Sequence, residues 1–343
     1  MKALVLTAPS KFEFKDVPQP VPGDDEVLVR VKAVGICGSD VHGYTGFSGR
    51  RIPPIIMGHE ASGIVEAVGK NARNVAVGER ITFDSTVYCN QCVWCRLGRV
   101  NMCESRTILG VSNPAFRRDG CMAEYVVMPW WITYKLPDAV SFEEAALVEP
   151  AGVSMHAARI TPTDVNDIVA VVGAGPIGIF AVQALKVKGA GKVIALDVRE
   201  ERLAFARQLG ADITINPSSC DVVEELKRVV GRPDVDAVLE AVGMPQAVDL
   251  AFKIVKRGGN LTLIGNVTPQ VTVNLQDLIM RELNIRGSFA IAGEYRAVLD
   301  LMAQGRIQVK PLISKTLPLS EGQAAFDTLH KGDPKLFKIV MHP

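Results

Sequence analysis

From Asp167 the chain reads DIVAVVGAGPIGIF, an apolar run that breaks at glycine and restarts with the spacing of a helix. The alternation continues through KVIALD, ERLAFARQLGA, VDAVLEAVG and NLTLIG. Runs this uniformly apolar need cover on both faces, which helices between strands provide, so the segment from about residue 164 predicts a parallel α/β sheet. The glycines fall at Gly173, Gly175 and Gly178, and the next strand ends at Asp197, nineteen residues past Gly178. A G-x-G-x-x-G alone says little. Between an apolar strand and a helix, with an acid at the end of the following strand, it points to dinucleotide binding. The glycines let backbone approach a pyrophosphate, and the helix N-terminus offers unpaired N–H groups. Asp197 would accept from the adenosine ribose hydroxyls and repel a 2′-phosphate, favouring NAD over NADP. Arg199, two residues on, could soften that preference.

The first 150 residues have another texture. EVLVRVKAVGI, ASGIVEAVG, ERITF and AEYVVMP are short β-type runs split by Gly and Pro, as in a mostly antiparallel, barrel-like unit. After about residue 290 the strand–helix alternation weakens, and the tail KIVMHP could return to that first unit. A chain of 343 residues, 48% hydrophobic and 22% charged, is long enough for two ordinary globular domains. A net charge of +1 without basic runs argues against nucleic acid or an anionic membrane as partner. The N-terminus MKALVLTAPSKFEF turns polar too soon for a secretory signal, and no apolar run reaches the roughly 18 residues of a membrane span. The expected compartment is therefore the reducing cytoplasm, where clustered cysteines more often bind metal or react than form disulfides.

Four of the seven cysteines lie in CNQCVWCRLGRVNMC, at Cys89, Cys92, Cys95 and Cys103. Cysteines three apart can turn their sulfurs onto one ion, and four thiolates closing a tetrahedron leave no position for substrate. The bacterial iron–sulfur run would need a final C-x3-C-P, which is absent. A structural zinc site is the expectation, with an iron–sulfur ligand set, a disulfide or idle thiols as the alternatives. A second constellation is Cys37 in GICGSDVHGY with His59 and Glu60 in GHEASGIVEAVG. Sulfur, imidazole and carboxylate together suit a zinc that keeps a position open, though each residue alone reads as ordinary core or a satisfied polar group. Glu149, before Pro150 in an apolar stretch, needs a partner of its own. Ser39 and His42 could pass a proton from a metal-bound oxygen towards solvent. Ser39-Asp40 also has the composition of a helix N-cap.

Taken in order, CGSDVH, GHE-x2-G-x5-G, the four-cysteine lobe, the EP pair at Glu149 and GAGPIG resemble the zinc-dependent medium-chain dehydrogenases over essentially the whole chain. Within them, the nearest branch is the polyol (sorbitol/L-iditol) dehydrogenases, with threonine 3-dehydrogenase close behind. The resemblance implies an α/β protein with a GroES-like β-barrel catalytic domain from residues 1–153 and 290–343, including a zinc lobe at about 86–106. It also implies a Rossmann doubly wound domain at 154–289, and a homotetramer or homodimer. It carries the catalytic zinc onto Cys37, His59 and Glu60, with Glu149 bound directly or through water, and the structural zinc onto the four cysteines, two zinc ions per chain. NAD contacts fall on Ile177, Asp197, Arg202, Ile264, Gly265, Asn266, Ser288, Phe289 and Ala290. Sorbitol dehydrogenases carry an Arg-Tyr pair where this chain has Ala290-Ile291, so the polyol-binding groups differ. Cys121 and Cys220 match no ligand position.

The activity so implied is reversible oxidation of a secondary alcohol, a polyol or sugar alcohol, to a ketone. The alcohol is ionised on the metal and hydride passes to nicotinamide. Closure of the two domains around cofactor would dry the site. The rival readings are a threonine-type amino-alcohol dehydrogenase, a sugar-alcohol-phosphate dehydrogenase and a cofactor-binding protein without catalysis. The intact Cys37, Ser39, His42, His59 and Glu60 count against the last.

Overall fold

A computed structural model describes residues 1–333 and 335–343. The chain forms two compact units. The first comprises Met1–Glu149, Ile291–Gly305 and Val309–Pro343, the second Pro150–Ala290 and Arg306–Gln308. The first junction lies inside one helix, Val148–Ile160, which also contains the 153/154 boundary expected from sequence.

The first unit is built on a seven-stranded sheet. Its central strand, Glu26–Gly35, pairs antiparallel with Glu60–Val68, Tyr125–Pro129 and the C-terminal strand Lys338–His342. The tail thus does return to the first unit. Val27, Val29, Val31 and Val34 sink with Ile81, Phe83, Met122 and Phe326 into one core, so the β-branched residues serve the sheet by packing. Register decides which strand ends meet. Gly35 lies opposite Glu60 on one side and Val340 on the other, which brings the start of the last strand beside the start of the Glu60 strand.

In the second unit six parallel strands run in the order Ile213–Ile215, Lys192–Leu196, Ile168–Val172, Val235–Glu240, Val255–Leu263, Asn284–Gly287. All six residues of Val235–Glu240 are buried, which requires both faces to be covered. The order reverses at Ile168–Val172, whose neighbours are the strand after it and the strand two further on. A crevice forms at the carboxyl ends of the strands at such a point. The helix Pro176–Lys188 starts there, with Gly175 as N-cap and proline in its first turn, where a missing N–H costs nothing.

Candidate active site

The four lobe cysteines converge. One sulfur from each of Cys89, Cys92, Cys95 and Cys103 lies within 4.8 Å of the others. The Cys92–Cys95 and Cys89–Cys95 sulfurs are 3.5 and 4.0 Å apart, far beyond a disulfide bond. They match the edge of about 3.8 Å that a tetrahedron of Zn–S bonds would have. The short helix Val93–Arg96, capped by Cys92, sets the first spacing, and the 3-10 turn Val100–Met102 returns Cys103. Backbone N–H groups of Gln91 and Cys92 pull the Cys89 thiol down to about 6, while burial pushes Cys95 up to about 12. Four thiols this close cannot all ionise without a cation among them, so the donor set fits zinc.

Cys37, His59 and Glu60 form the second group, again within 4.8 Å. Cys37 lies between the central strand and the helix Gly38–Tyr44, and His59-Glu60 open the strand opposite. Gly35 makes room: a Cβ there would stand 2.7 Å from Glu60 Oε2. Three buried charges surround the group. Lys338 Nζ donates to Glu60 Oε1 at 2.5 Å and Oε2 at 2.6 Å. Asp40, fully buried, has its Oδ1 3.4 Å from His59 Nδ1 and accepts from Arg51 Nε at 3.2 Å and Nη2 at 2.8 Å. Burial alone would raise the Asp40 pKa, but His59 and Arg51 hold it well below the usual carboxylate range. Burial works against a charged His59, yet Asp40 and Cys37 raise its pKa well above the ordinary value. An imidazole oriented and made basic by a carboxylate is a strong metal donor.

Ser39 departs from the N-cap expectation. Cys37 caps the helix, because the Asp40 carboxylate reaches back to the Cys37 N–H at 3.4 Å and starts the first turn two residues earlier. Ser39 is instead exposed in that turn, its Oγ donating to Cys37 Sγ at 3.3 Å. His42, also exposed, lies in the last turn. Glu149 stands outside the tight three-residue set and accepts from Ser85 Oγ at 3.2 Å. Burial pushes its carboxyl up to about 7, with the Glu60 charge adding and His59 and Lys338 opposing. Sequence reasoning misses Lys338 and Arg51, and takes Asp40 only for part of a helix cap. The one available signal is an isolated lysine in the apolar tail LFKIVM.

The residues expected to hold a nucleotide gather at the carboxyl ends of the parallel strands. Gly173 has φ +96°, and a Cβ on Gly178 would lie 1.7 Å from the Gly173 carbonyl oxygen, so strand and helix touch through bare backbone. Gly175 faces nothing nearer than Arg202 Nη1 at 3.9 Å. Asp197 Oδ2 accepts from the Ala174 N–H at 2.8 Å and Oδ1 from Arg199 N–H at 2.9 Å, with Arg202 Nη1 3.7 Å from Oδ2. Ile177 lies in the first turn of the helix, and its carbonyl accepts from Ser154 Oγ. Ile264, Gly265 and Asn266 follow the strand Val255–Leu263, and Ser288, Phe289 and Ala290 follow Asn284–Gly287. The Ser288 N–H bonds the Leu263 carbonyl at 2.8 Å, which joins these last two segments.

Comparison with known proteins gives the same two halves. Residues 23–138 match the alcohol dehydrogenase GroES-like domain and residues 176–304 the zinc-binding dehydrogenase family. Sorbitol dehydrogenase of Bacillus subtilis (strain 168) is 34% identical, over 100% of this chain and 97% of its own length. A Sinorhizobium meliloti 1021 protein described as a zinc-binding dehydrogenase, solved bound to NADP, is 32% identical with TM-score 0.90, covering 100% of this chain and 99% of that one. An Escherichia coli CFT073 alcohol dehydrogenase solved with NADH is 31% identical with TM-score 0.92 and the same coverage, 100% and 99%. The chain, with its GroES-like and Rossmann-type halves, belongs to the zinc-dependent medium-chain dehydrogenase superfamily, in its polyol dehydrogenase-like branch.

Proposed function

We propose that this protein oxidises a secondary alcohol, a polyol or sugar alcohol, to the ketone with NAD as hydride acceptor. The observation that carries this reading is the Cys37–His59–Glu60 donor set, framed by the buried Asp40–Arg51 and Lys338 charges. Zinc held there would supply Lewis acidity to the alcohol oxygen. The chain's own residues do the rest. Asp40 stands 3.4 Å from His59 Nδ1, and its charge there would favour a ring orientation that turns the other nitrogen to the metal. Lys338 neutralises Glu60, so a buried carboxylate adds no net negative charge where an anionic oxygen must be stabilised. Ser39 Oγ, beside the Cys37 sulfur, would accept the substrate proton while passing its own on by way of the nicotinamide ribose hydroxyl to exposed His42, which would release one to solvent. Glu149, its carboxyl pushed up to about 7, lies close enough for its charge to act on the same groups, and outside the three-residue set it would support the metal directly or through water.

In the second unit the glycine turn receives the pyrophosphate of the dinucleotide and Asp197 the adenosine ribose. Asp197 favours NAD; Arg202 beside it offers a partner to a 2′-phosphate, so the preference is graded. The four-cysteine lobe would hold the second zinc as a structural staple. Exposed Leu275, Ile279 and Met280 support a homodimer or homotetramer, and the composition supports a cytoplasmic protein without nucleic-acid or membrane partners. Ala290-Ile291 carry no hydrogen-bonding side chain where the sorbitol enzymes have Arg-Tyr, so sorbitol should not be the best substrate. The test is an alcohol panel with NAD followed by NADH absorbance, beside a zinc assay. The panel should include secondary alcohols, shorter polyols, sorbitol, sugar-alcohol phosphates and L-threonine. Turnover of L-threonine alone would replace this reading with the amino-alcohol one.

A further inference from the structure

Between the carboxyl ends of two neighbouring strands lies one buried residue, Glu240, with no part in the proposed chemistry. Glu240 closes Val235–Glu240, in register with Val172 on one side and Leu263 on the other. It is fully buried, and burial pushes its carboxyl pKa up against the pull of two backbone amides, those of Gly243 and Val242. Oε1 accepts from the Val242 N–H at 2.7 Å and the Gly243 N–H at 2.8 Å, while Oε2 has no hydrogen-bond partner among the described residues. Its main-chain carbonyl accepts from Ile264 N–H at 2.8 Å and Gly265 N–H at 3.1 Å. One residue thus holds two loops, one through its side chain and one through its backbone.

Those loops press on the glycine turn and on each other. The Val242 Cγ2 methyl stands 2.5 Å from where a Cβ on Gly173 would be. A Cβ on Gly265 would lie 2.0 Å from the Gly243 nitrogen. With backbone packed against backbone at Gly243 and Gly265, it is the Glu240 carboxyl rising from the strand end that satisfies the Val242 and Gly243 amides. A buried group at this position without a cation costs stability, and a packing role alone would be met better by leucine.

We infer that Glu240 is a positioning residue for the dinucleotide, shaping the wall that receives its nicotinamide half; this rests on the proposed dinucleotide reading. Asp197 follows the strand on one side of Ile168–Val172 and marks the adenosine half, and Glu240 ends the strand on the other side. In such a sheet the two mononucleotide halves lie on opposite sides of the point of reversal. The ligand-specific consequence is that loss of Glu240 separates the two halves of the cofactor.

The experiment compares NADH and ADP-ribose affinities, by titration calorimetry, for the zinc-loaded wild type, Glu240→Leu and Glu240→Gln. Glu240→Leu should weaken NADH about 10-fold or more, because the loops that receive the nicotinamide half lose the group that fixes them, and leave ADP-ribose within about 2-fold. Glu240→Gln should recover most of the loss, because its amide oxygen still accepts both N–H groups. NADH affinity unchanged in Glu240→Leu, or both ligands weakened in parallel, overturns the inference. Should Glu240→Leu fail to fold, hydrogen exchange of the wild type decides. Val242 and Gly243 amides protected further by NADH but not by ADP-ribose support it, and equal protection by both refutes it. A wild type that binds neither ligand removes the dinucleotide reading itself, a failure distinct from that of a variant.

Discussion

Arg51 and Asp40 are both nearly or fully sealed from water, with side-chain exposures of 4% and 0%. Such a pair is costly to break, because removing one partner strands the other's charge. Arg51→Met should lower stability by ~3–5 kcal/mol, and zinc retention against a chelator should fall by about 10–100-fold as Asp40 loses its fixed position beside His59. Arg51→Lys should restore part of the retention. Zinc measured per chain after timed chelation checks this, and full retention in Arg51→Met would remove Arg51 from the support of His59. Asp84 raises a different issue at the same scale. It is fully buried, Oδ1 accepts from Thr86 N–H, and Oδ2 has no hydrogen-bond partner among the described residues. Burial lifts its pKa from 3.8 to about 8. The folded state therefore holds a proton that the unfolded state releases. The associated stability is complete below pH 3.8 and is lost as pH rises towards 8, by at most about 1.4 kcal/mol per pH unit. Denaturant unfolding across pH 5–8 should show that decline in wild type and a flatter profile in Asp84→Asn.

At the scale of elements, the zinc lobe behaves as a small domain without a core. Between Cys89 and Cys103 it has a four-residue helix, a three-residue 3-10 turn and exposed Val93 and Leu97. Little apolar burial is available to hold it, so a zinc on its four sulfurs would couple its folding to metal binding. Cys95→Ser should lose one zinc per chain and lower Tm by about 5 °C or more, while the Cys37 group keeps its ion in whatever protein stays folded. A stable variant with its full zinc complement would contradict the structural role. The lobe and the glycine turn were legible in the sequence for one reason. Their donors lie within a few residues of each other, so spacing alone specifies geometry. The surroundings of Glu60 were not. Lys338 is 278 residues away and meets it only because the tail strand pairs beside Gly35. Arg51 likewise reaches Asp40 by laying its stem over Gly43, where any side chain would clash with it. Such contacts depend on sheet register, and register is not written in local composition. Ser39 shows the same limit in small: its type suits an N-cap, but the Asp40 carboxylate moved the cap to Cys37.

Across the whole molecule, the candidate metal donors and the residues expected to hold a nucleotide form separate sets. Cys37, His59, Glu60 and the four lobe cysteines all belong to the first unit, whereas Gly173, Asp197 and Glu240 belong to the second. The two metal groups also differ in how firmly they should hold. The lobe offers four sulfurs that close a tetrahedron, while the other group offers three donors, one of them a carboxylate already engaged by Lys338. Mild chelation should therefore strip the Cys37 group first. Alcohol oxidation should disappear as the first zinc leaves each chain, with Tm little changed, since Asp40, Arg51 and Lys338 still pair in its absence. NADH affinity should stay within about 2-fold, because no metal donor belongs to the unit that carries the glycine turn. Only loss of the second zinc should lower Tm, as the lobe unravels. Zinc content, Tm, NADH titration and turnover followed along one chelation series check the order. NADH affinity falling in step with the first zinc would show that the two sets are energetically coupled, and Tm falling first would show that the lobe, not the Cys37 group, is the weaker site.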